Sequence, residues 1–449
     1  MATLPELPAV TSLSKYVTRI LGQNPSKFTL QGTNSYLVHH PHSTRMILID
    51  TTGPSSSGPL PAAARSSYLT SLRSLLAERS TPQGGQGGAP AHVSDIILTH
   101  WHRDHVAALP DVIRALALVQ PRIPVRVWKF PCADEGEEDW KSERGRDAAI
   151  EYELAGLGST EFVVQPGEGA AGSKRIHVLR QGQKFRLESE LRDHHRHDDD
   201  NDQAAAVSDA DVDAIELEVV HTPGHTSDSI CLVLRRAALS SSSAAAVDDS
   251  AAQTPPPLGV FTADTVLGHG TAVFASLSSY LSSLSRLITS LSSSSSSSPA
   301  ASSSSSDPNP NTDSQPQLPR IPLFPGHGDV VVDAIAKITE YRAHRLERER
   351  QVVQVLERAQ RDESGPLTAD ELVDQIYGST IPSSLKPAAT HGCLLHLAKL
   401  LEEKIVIRVV DTANNQRSAG RAVVEHEEVQ IPEGWYDGWS IAITPTASM

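Results

Sequence analysis

Residues 99–106 read T-H-W-H-R-D-H-V and place four metal-ligand types, His100, His102, Asp104 and His105, within six positions. Three imidazoles and a carboxylate gathered in an interior are costly unless paired, and a divalent cation turns the same groups into partners. Residues two apart on an extended segment face the same way, so His100 and His102 suit one cation while Asp104 and His105 turn toward another. Three later residues can complete the pair of sites. His225, in H-T-P-G-H-T at 221–226, adds a third histidine to the first cation. Asp264 offers two carboxylate oxygens able to bridge cations about 3.5–4 Å apart. His327, in F-P-G-H-G at 324–328, joins Asp104, His105 and Asp264 on the second. Such a pair activates water against an acyl carbon or a phosphorus, which makes hydrolysis the natural chemistry and assigns catalytic roles to Asp104 and Asp264. Zinc suits these ligands first, and iron or manganese fit the same nitrogen and oxygen donors.

Each ligand needs a strand end to present it. An apolar run at 96–98 precedes the first cluster, and residues 215–220 alternate apolar and acidic types before a Pro-Gly turn presents His225. Residues 258–263 read as a strand delivering Asp264. Further on, 330–361 carries apolar residues at near-helical intervals, and Thr368 with Glu371 forms a capping box that opens a short helix. A second helix is expected at 394–401, then a β-hairpin pairing 405–410 with 421–429. That order resembles a winged helix. Glu425, Glu427 and Glu428 on its wing favour a packing or lid module over a nucleic-acid reader.

The order H-x-H-x-D-H, then His, Asp and His, resembles the metallo-β-lactamase superfamily. S-K-F-T-L-Q-G-T-N-S-Y-L-V at 26–38, V-L-G-H-G-T-A-V-F at 266–274 and F-P-G-H-G narrow the likeness to the β-lactamase-like protein 2 group, which includes thioesterases that accompany fungal polyketide synthases. The resemblance implies an α+β fold, an αββα sandwich with two metals at one edge of its sheets. It makes Asp50 a carboxylate that orients a histidine ligand. It also implies release of an acyl or polyketide chain from an acyl carrier protein, with cleavage of single-stranded RNA as the alternative and a non-catalytic scaffold as a third reading. Where the family often carries glycine this chain has Ala107, Ala108 and Ala263, which removes backbone freedom beside the metals. Ala275-Ser276 replaces a usual acidic pair. His221 and His269 lie near ligands in sequence, with packing or a structural hydrogen bond favoured over substrate contact. His344 and Arg345, in H-R-L-E-R-E, either reach substrate or sit on a solvated helix face.

The remaining sequence bounds the setting. The 449 residues carry a net charge of −15, which disfavours RNA and anionic membranes as partners. Cys132, Cys231 and Cys393 form no Cys-x-x-Cys pair, so neither a disulfide framework nor a thiolate zinc site is expected. The first ten residues lack a basic segment followed by an apolar run, and no apolar stretch of about 20 residues occurs, so the cytoplasm is the expected compartment. Polar tracts near 193–213, 240–257 and 291–319 cannot bury enough apolar surface to fold and are expected to be disordered inserts. His194, His195 and His197 in the first of them read as part of a solvated loop. The expected organisation is a catalytic domain over 1–335, a helical connector over 336–363 and a winged-helix-like domain over 364–449.

Overall fold

The computed structural model describes residues 4–54, 60–80, 90–120, 123–132, 143–157, 163–164, 175–190, 214–237, 255–292, 320–378, 381–383, 385–409 and 438–441. Contacts divide the chain into two units, residues 1–272 with 286–338, and residues 273–285 with 339–449.

The first unit is built on strands that are apolar on both faces, a pattern that requires cover from both sides. Strands β1 (Val10–Ser12), β2 (Val17–Leu21), β3 (Asn34–His39), β4 (Arg45–Ile49), β5 (His92–Leu98), β6 (Arg126–Lys129) and β7 (Ile176–Val178) form one sheet in chain order. Pairing is antiparallel as far as β4 and parallel from β4 to β7. A second sheet runs β12-β11-β10-β9-β8, from β8 (Lys184–Leu187), β9 (Ile215–His221), β10 (Ile230–Arg236), β11 (Pro257–Ala263) and β12 (Leu323–Pro325).

Side-chain alternation sorts the sheet residues into two cores. Met46, Leu48, Ile96 and Leu98 face helices α1 (Ala62–Arg79), α3 (Leu109–Val119) and α4 (Glu143–Ala155), meeting Leu72, Val112, Ile113 and Leu154. Their neighbours Ile47, Ile49 and Ile97 face the second sheet, meeting Leu217, Val219, Leu232 and Phe261. Fully burying a side chain of this size is worth about 1.5–3 kcal/mol, so these alternating rows dominate the register. On the other face of the second sheet, Arg235 donates to the Ser290 carbonyl and Arg286 to the His221 carbonyl, both from helix α5 (Leu277–Ser292). The result is the α+β sandwich of helix, sheet, sheet and helix.

In the second unit, Val352, Val355, Leu356 and Ala359 of α6 (Ala334–Arg361) pack against Leu372 and Val373 of α7 (Ala369–Tyr377) and Leu394, Leu397 and Leu400 of α8 (Lys386–Glu402). Part of the segment expected as a helical connector thus lies in this core, and 273–285 joins this unit. At Thr368 the capping box forms: the Glu371 N–H donates to Thr368 Oγ1 at 3.3 Å and the Thr368 N–H to Glu371 Oε2 at 2.7 Å. Strand β13 (Val406–Val409) pairs antiparallel with β14 (Gly438–Ile441). The expected hairpin partner at 421–429 lies outside the described residues, as do the expected inserts apart from residues 255–257, which enter β11, and 291–292, which end α5. Among the described residues no helix is long and apolar enough to cross a membrane, and Cys132, Cys231 and Cys393 are buried and form no disulfide.

Candidate metal centre

Strand β5 ends at Leu98, and the chain bends at His100 before reaching His102, the N-cap of the one-turn helix α2 (Arg103–Val106). The divergence of the four side chains follows from this change of backbone. His100 and His102 precede the helix, while Asp104 and His105 leave a helical turn.

His102 Nδ1 lies 2.9 Å from both His100 Nε2 and His225 Nε2, and His225 Nε2 is 3.7 Å from Asp264 Oδ2. The other four side chains gather round His327 Nε2, which lies 3.3 Å from His105 Nε2, 3.1 Å from Asp104 Oδ2 and 3.3 Å from Asp264 Oδ2. Two nests thus form, His100-His102-His225-Asp264 and Asp104-His105-Asp264-His327, with Asp264 common to both and the donor atoms of each within 4.8 Å of one another.

The donor set fits divalent cations. Nitrogens bound tetrahedrally at 2.0–2.1 Å stand about 3.3 Å apart, close to the separations seen here. A proton serves one nitrogen pair at a time, whereas His102 Nδ1 faces two other imidazole nitrogens. Asp264 Oδ1 is buried without a hydrogen-bond partner among the described residues.

Electrostatics divide the nests. Burial, then the neighbouring imidazoles of His105, His102 and His225, hold His100 well below the ordinary histidine range. In the second nest burial opposes ionisation but the carboxylates outweigh it, led by Asp264, so His105 stands well above its ordinary value and His327 rises to about 9. Burial likewise works against the Asp104 carboxylate, yet His105 and His327 bring it down to about 2 and draw Asp264 well below its usual range. The second nest therefore demands compensating positive charge, which a divalent cation supplies.

Asp50 fixes one histidine from behind. Its Oδ2 accepts from His105 Nδ1 at 2.8 Å and from Thr99 Oγ1 at 2.7 Å, and its Oδ1 accepts from the Thr99 N–H at 2.7 Å. With the Nδ1 proton engaged, the lone pair of His105 Nε2 faces the nest. Asp50 adopts a left-handed backbone, φ 56°, and Ser35 Oγ donates to its carbonyl at 2.9 Å. The glycine-to-alanine departures have unequal consequences. Ala107 and Ala108 adopt φ −66° and −87°, where alanine is at ease. Ala263 is held at φ 44°, a left-handed conformation costing an L side chain roughly 1–2 kcal/mol. Its carbonyl accepts from the Gly326 N–H at 2.8 Å, beside the irregular register between β11 and β12. Gly326 itself has no room for a side chain, because a Cβ would stand 2.3 Å from Asp264 Oδ1.

The remaining candidates fall outside the nests. His221 stacks on Phe130 with ring centroids 4.0 Å apart, and its Nε2 meets the Ser227 carbonyl at 2.8 Å, a packing role. His269 is exposed on the loop after β11, and His344 and Arg345 lie on α6 in the second unit. Two sets of positioning residues are not evident from sequence. Asn34 Nδ2 donates to the carbonyls of Pro325 and Gly328 at 3.0 and 2.7 Å, and the Tyr36 hydroxyl donates to Pro325 at 2.7 Å, so β3 clamps the turn that carries His327. Asp228 accepts from Thr226 Oγ1 at 2.6 Å and pairs with the buried Lys129 ammonium at 2.5 Å, bracing the turn that carries His225. T-N-S-Y at 33–36 was the available signal for the first set, and the second left none.

A two-sheet sandwich with histidines and aspartates issuing from strand ends at one edge defines a metallo-β-lactamase-type domain. Residues 28–241 match the sequence profile of the Metallo-beta-lactamase superfamily, and residues 368–414 match that of the Beta-lactamase associated winged helix domain. The chain is 28% identical over 410 residues to a Beta-lactamase-like protein 2 homolog of Drosophila melanogaster, covering 91% of this chain and 96% of that one. Similarity to an atrochrysone carboxyl ACP thioesterase of Paecilomyces divaricatus is 26% over 404 residues, covering 90% and 84%. A crystal structure of a beta-lactamase domain protein from Burkholderia ambifaria superimposes with a TM-score of 0.50 at 16% identity, over 90% of this chain and 92% of that one, and shares the fold.

Proposed function

We propose that this superfamily hydrolase is a thioesterase that releases an acyl or polyketide chain from an acyl carrier protein in the cytoplasm. In this reading two divalent cations, zinc first, are held by His100, His102, His225 and Asp264 and by Asp104, His105, Asp264 and His327. The observation that carries the reading is the convergence of these seven side chains into two nests sharing Asp264. Similarity to ACP thioesterases along most of the chain, with a net charge of −15, favours thioester over RNA.

When bound, the cations supply activated water and polarisation of the acyl oxygen. The chain's own residues set the geometry. Asp50 keeps the proton of His105 on Nδ1, Asn34 and Tyr36 hold the His327 turn, and the Asp228–Lys129 pair braces the His225 turn. Water oxygen bonds to the acyl carbon, the C–S bond breaks, and a carboxylic acid and a thiol result. A thiol of pKa about 8.5 leaves as thiolate without a side-chain acid, unlike the alkoxide of a phosphodiester.

The test is hydrolysis by the zinc-loaded full chain of a model acyl thioester and an acyl carrier protein conjugate, with labelled single-stranded RNA in parallel. Thioester cleavage with RNA left intact is expected, and Asp264→Ala should lower turnover by about 10²-fold or more. RNA cleavage without thioester cleavage transfers the assignment to the endoribonuclease alternative. Full turnover in Asp264→Ala overturns the shared-ligand role.

A further inference from the structure

A second cluster of chemistry-bearing side chains lies within the second unit, away from any residue assigned above. A cavity of about 120 Å³ is lined by His344, Arg345 and Arg348 of α6 and by His396 of α8, with Val373 and Ile376 of α7 on its apolar side. Among the described residues no carboxylate lines it, in a chain whose net charge is −15. Nearby acids are engaged elsewhere: Glu349 pairs with Lys399 at 2.9 Å, Glu347 with Arg350 at 2.7 Å, and Asp374 with Lys386 at 2.7 Å.

The cations are held by their faces. Arg345 lies 4.7 Å from the Phe274 ring centroid and Arg348 lies 4.3 Å from that of Tyr377, while Arg348 also donates to Gln351 at 2.7 Å. Arg345 also hydrogen-bonds the Tyr280 side chain, and Arg348, stacked this way, keeps N–H donors along its edge, the geometry that suits a tetrahedral oxyanion. His396 is 2% exposed, and its Nδ1 has no hydrogen-bond partner among the described residues. A buried polar atom left in this condition is costly, and a ligand accepting or donating there would satisfy it. Burial, then the fields of Arg345 and Arg348, pushes this imidazole down to about 3, so it stays neutral beside the two guanidiniums. The volume equals the share of about four liquid waters, room for a phosphate group and its first carbons but not for a nucleoside.

We propose that this cavity binds the phosphate group of a small phosphate ester, with Arg345, Arg348 and His396 facing the oxygens and the ester's carbon chain against Val373 and Ile376. The shared chemistry admits free phosphate or a 4′-phosphopantetheine arm, and interest in the latter rests on the thioesterase reading. Binding itself does not depend on that reading.

Gly392 of α8 provides the test, because it lines the cavity and a Cβ built there meets nothing within 4 Å. Gly392→Leu should fill the space while favouring the helix. Calorimetric titration of the full chain with inorganic phosphate and with 4′-phosphopantetheine should show binding. Gly392→Leu and Arg348→Gln should each weaken it about tenfold or more, with the unfolding temperature of Gly392→Leu maintained. The His396 ring resonances should shift as either ligand is added. Equal affinities assign free phosphate and tighter phosphopantetheine binding assigns the ester; both support the site. Binding of neither ligand, binding undiminished in Gly392→Leu, or equal competition by a single-stranded oligonucleotide lacking terminal phosphate overturns it. Thioester turnover is not a readout, so this proposal and the hydrolase assignment fail separately.

Discussion

Replacing Asp50 by Asn changes one oxygen to an amide nitrogen, yet neither orientation of the amide fits its surroundings. With the carbonyl in the place of Oδ2, the NH2 group faces the Thr99 N–H across 2.7 Å, donor against donor. With the amide turned over, NH2 faces His105 Nδ1 across 2.8 Å and forces the proton to Nε2, where it blocks the lone pair directed at Asp104, Asp264 and His327. Either arrangement loses a charge-assisted hydrogen bond in a fully buried setting, worth about 1.5–3 kcal/mol. Loss of a carboxylate that orients a histidine ligand costs 10–100-fold in metal affinity, about 1.4–2.8 kcal/mol. The assay is competitive zinc titration against a chromophoric chelator, with urea unfolding alongside. We expect the site that includes His105 to weaken by that factor, while the three-histidine nest, which Asp50 reaches only through the Thr99 hydroxyl 3.0 Å from His100 Nδ1, changes less. Two sites of unchanged affinity in Asp50→Asn would refute the claim that this carboxylate sets the His105 proton.

Other perturbations test the surrounding framework. Lys129→Met leaves the Asp228 carboxylate, 0% exposed, and the Asp147 carboxylate, 29% exposed, without their ammonium partner and should destabilise the first unit by about 3–5 kcal/mol in urea unfolding; adding Asp228→Asn should recover part of the loss. In metal-free protein His327 has its value raised from 6.5 to about 9 by burial's competitors, Asp264 first. Its contribution to stability is therefore complete below about pH 6.5 and disappears as pH rises through about 9. Unfolding midpoints of chelator-treated protein should fall across that interval, whereas zinc-loaded protein should not show the decline; a flat profile without metal rejects the raised value.

Local patterns made much of this molecule legible. The apolar run at 96–98 that ends β5, the alternation over 215–220 in β9, the Pro-Gly turn before His225 and the capping box at Thr368 are decided by neighbours in sequence, and each has the expected form. The grouping of the seven ligand-type residues was also readable, although the reason for the divergence at Asp104 is the helical turn of α2 rather than a continued strand. Long-range effects were hidden. Asn34 and Tyr36 act on carbonyls some 290 positions away. Lys129 and Asp228 look like surface charges until β6 brings them together in the interior. Ala263 shows that tertiary demand can override a residue's backbone preference, because its carbonyl must meet Gly326. The near-helical apolar spacing over 330–361 does not name its partners, which for Val352, Val355, Leu356 and Ala359 lie in α7 and α8.

The clamp from Asn34 to the Pro325–Gly328 turn joins the beginning of the catalytic unit to its last strand. During synthesis, a ribosome that has released Asp264 but not His327 presents only the three-histidine nest in full. Vectorial translation thus completes the His100-His102-His225-Asp264 set first, and the nascent chain must wait for its late histidine before β3 can lock the second nest shut.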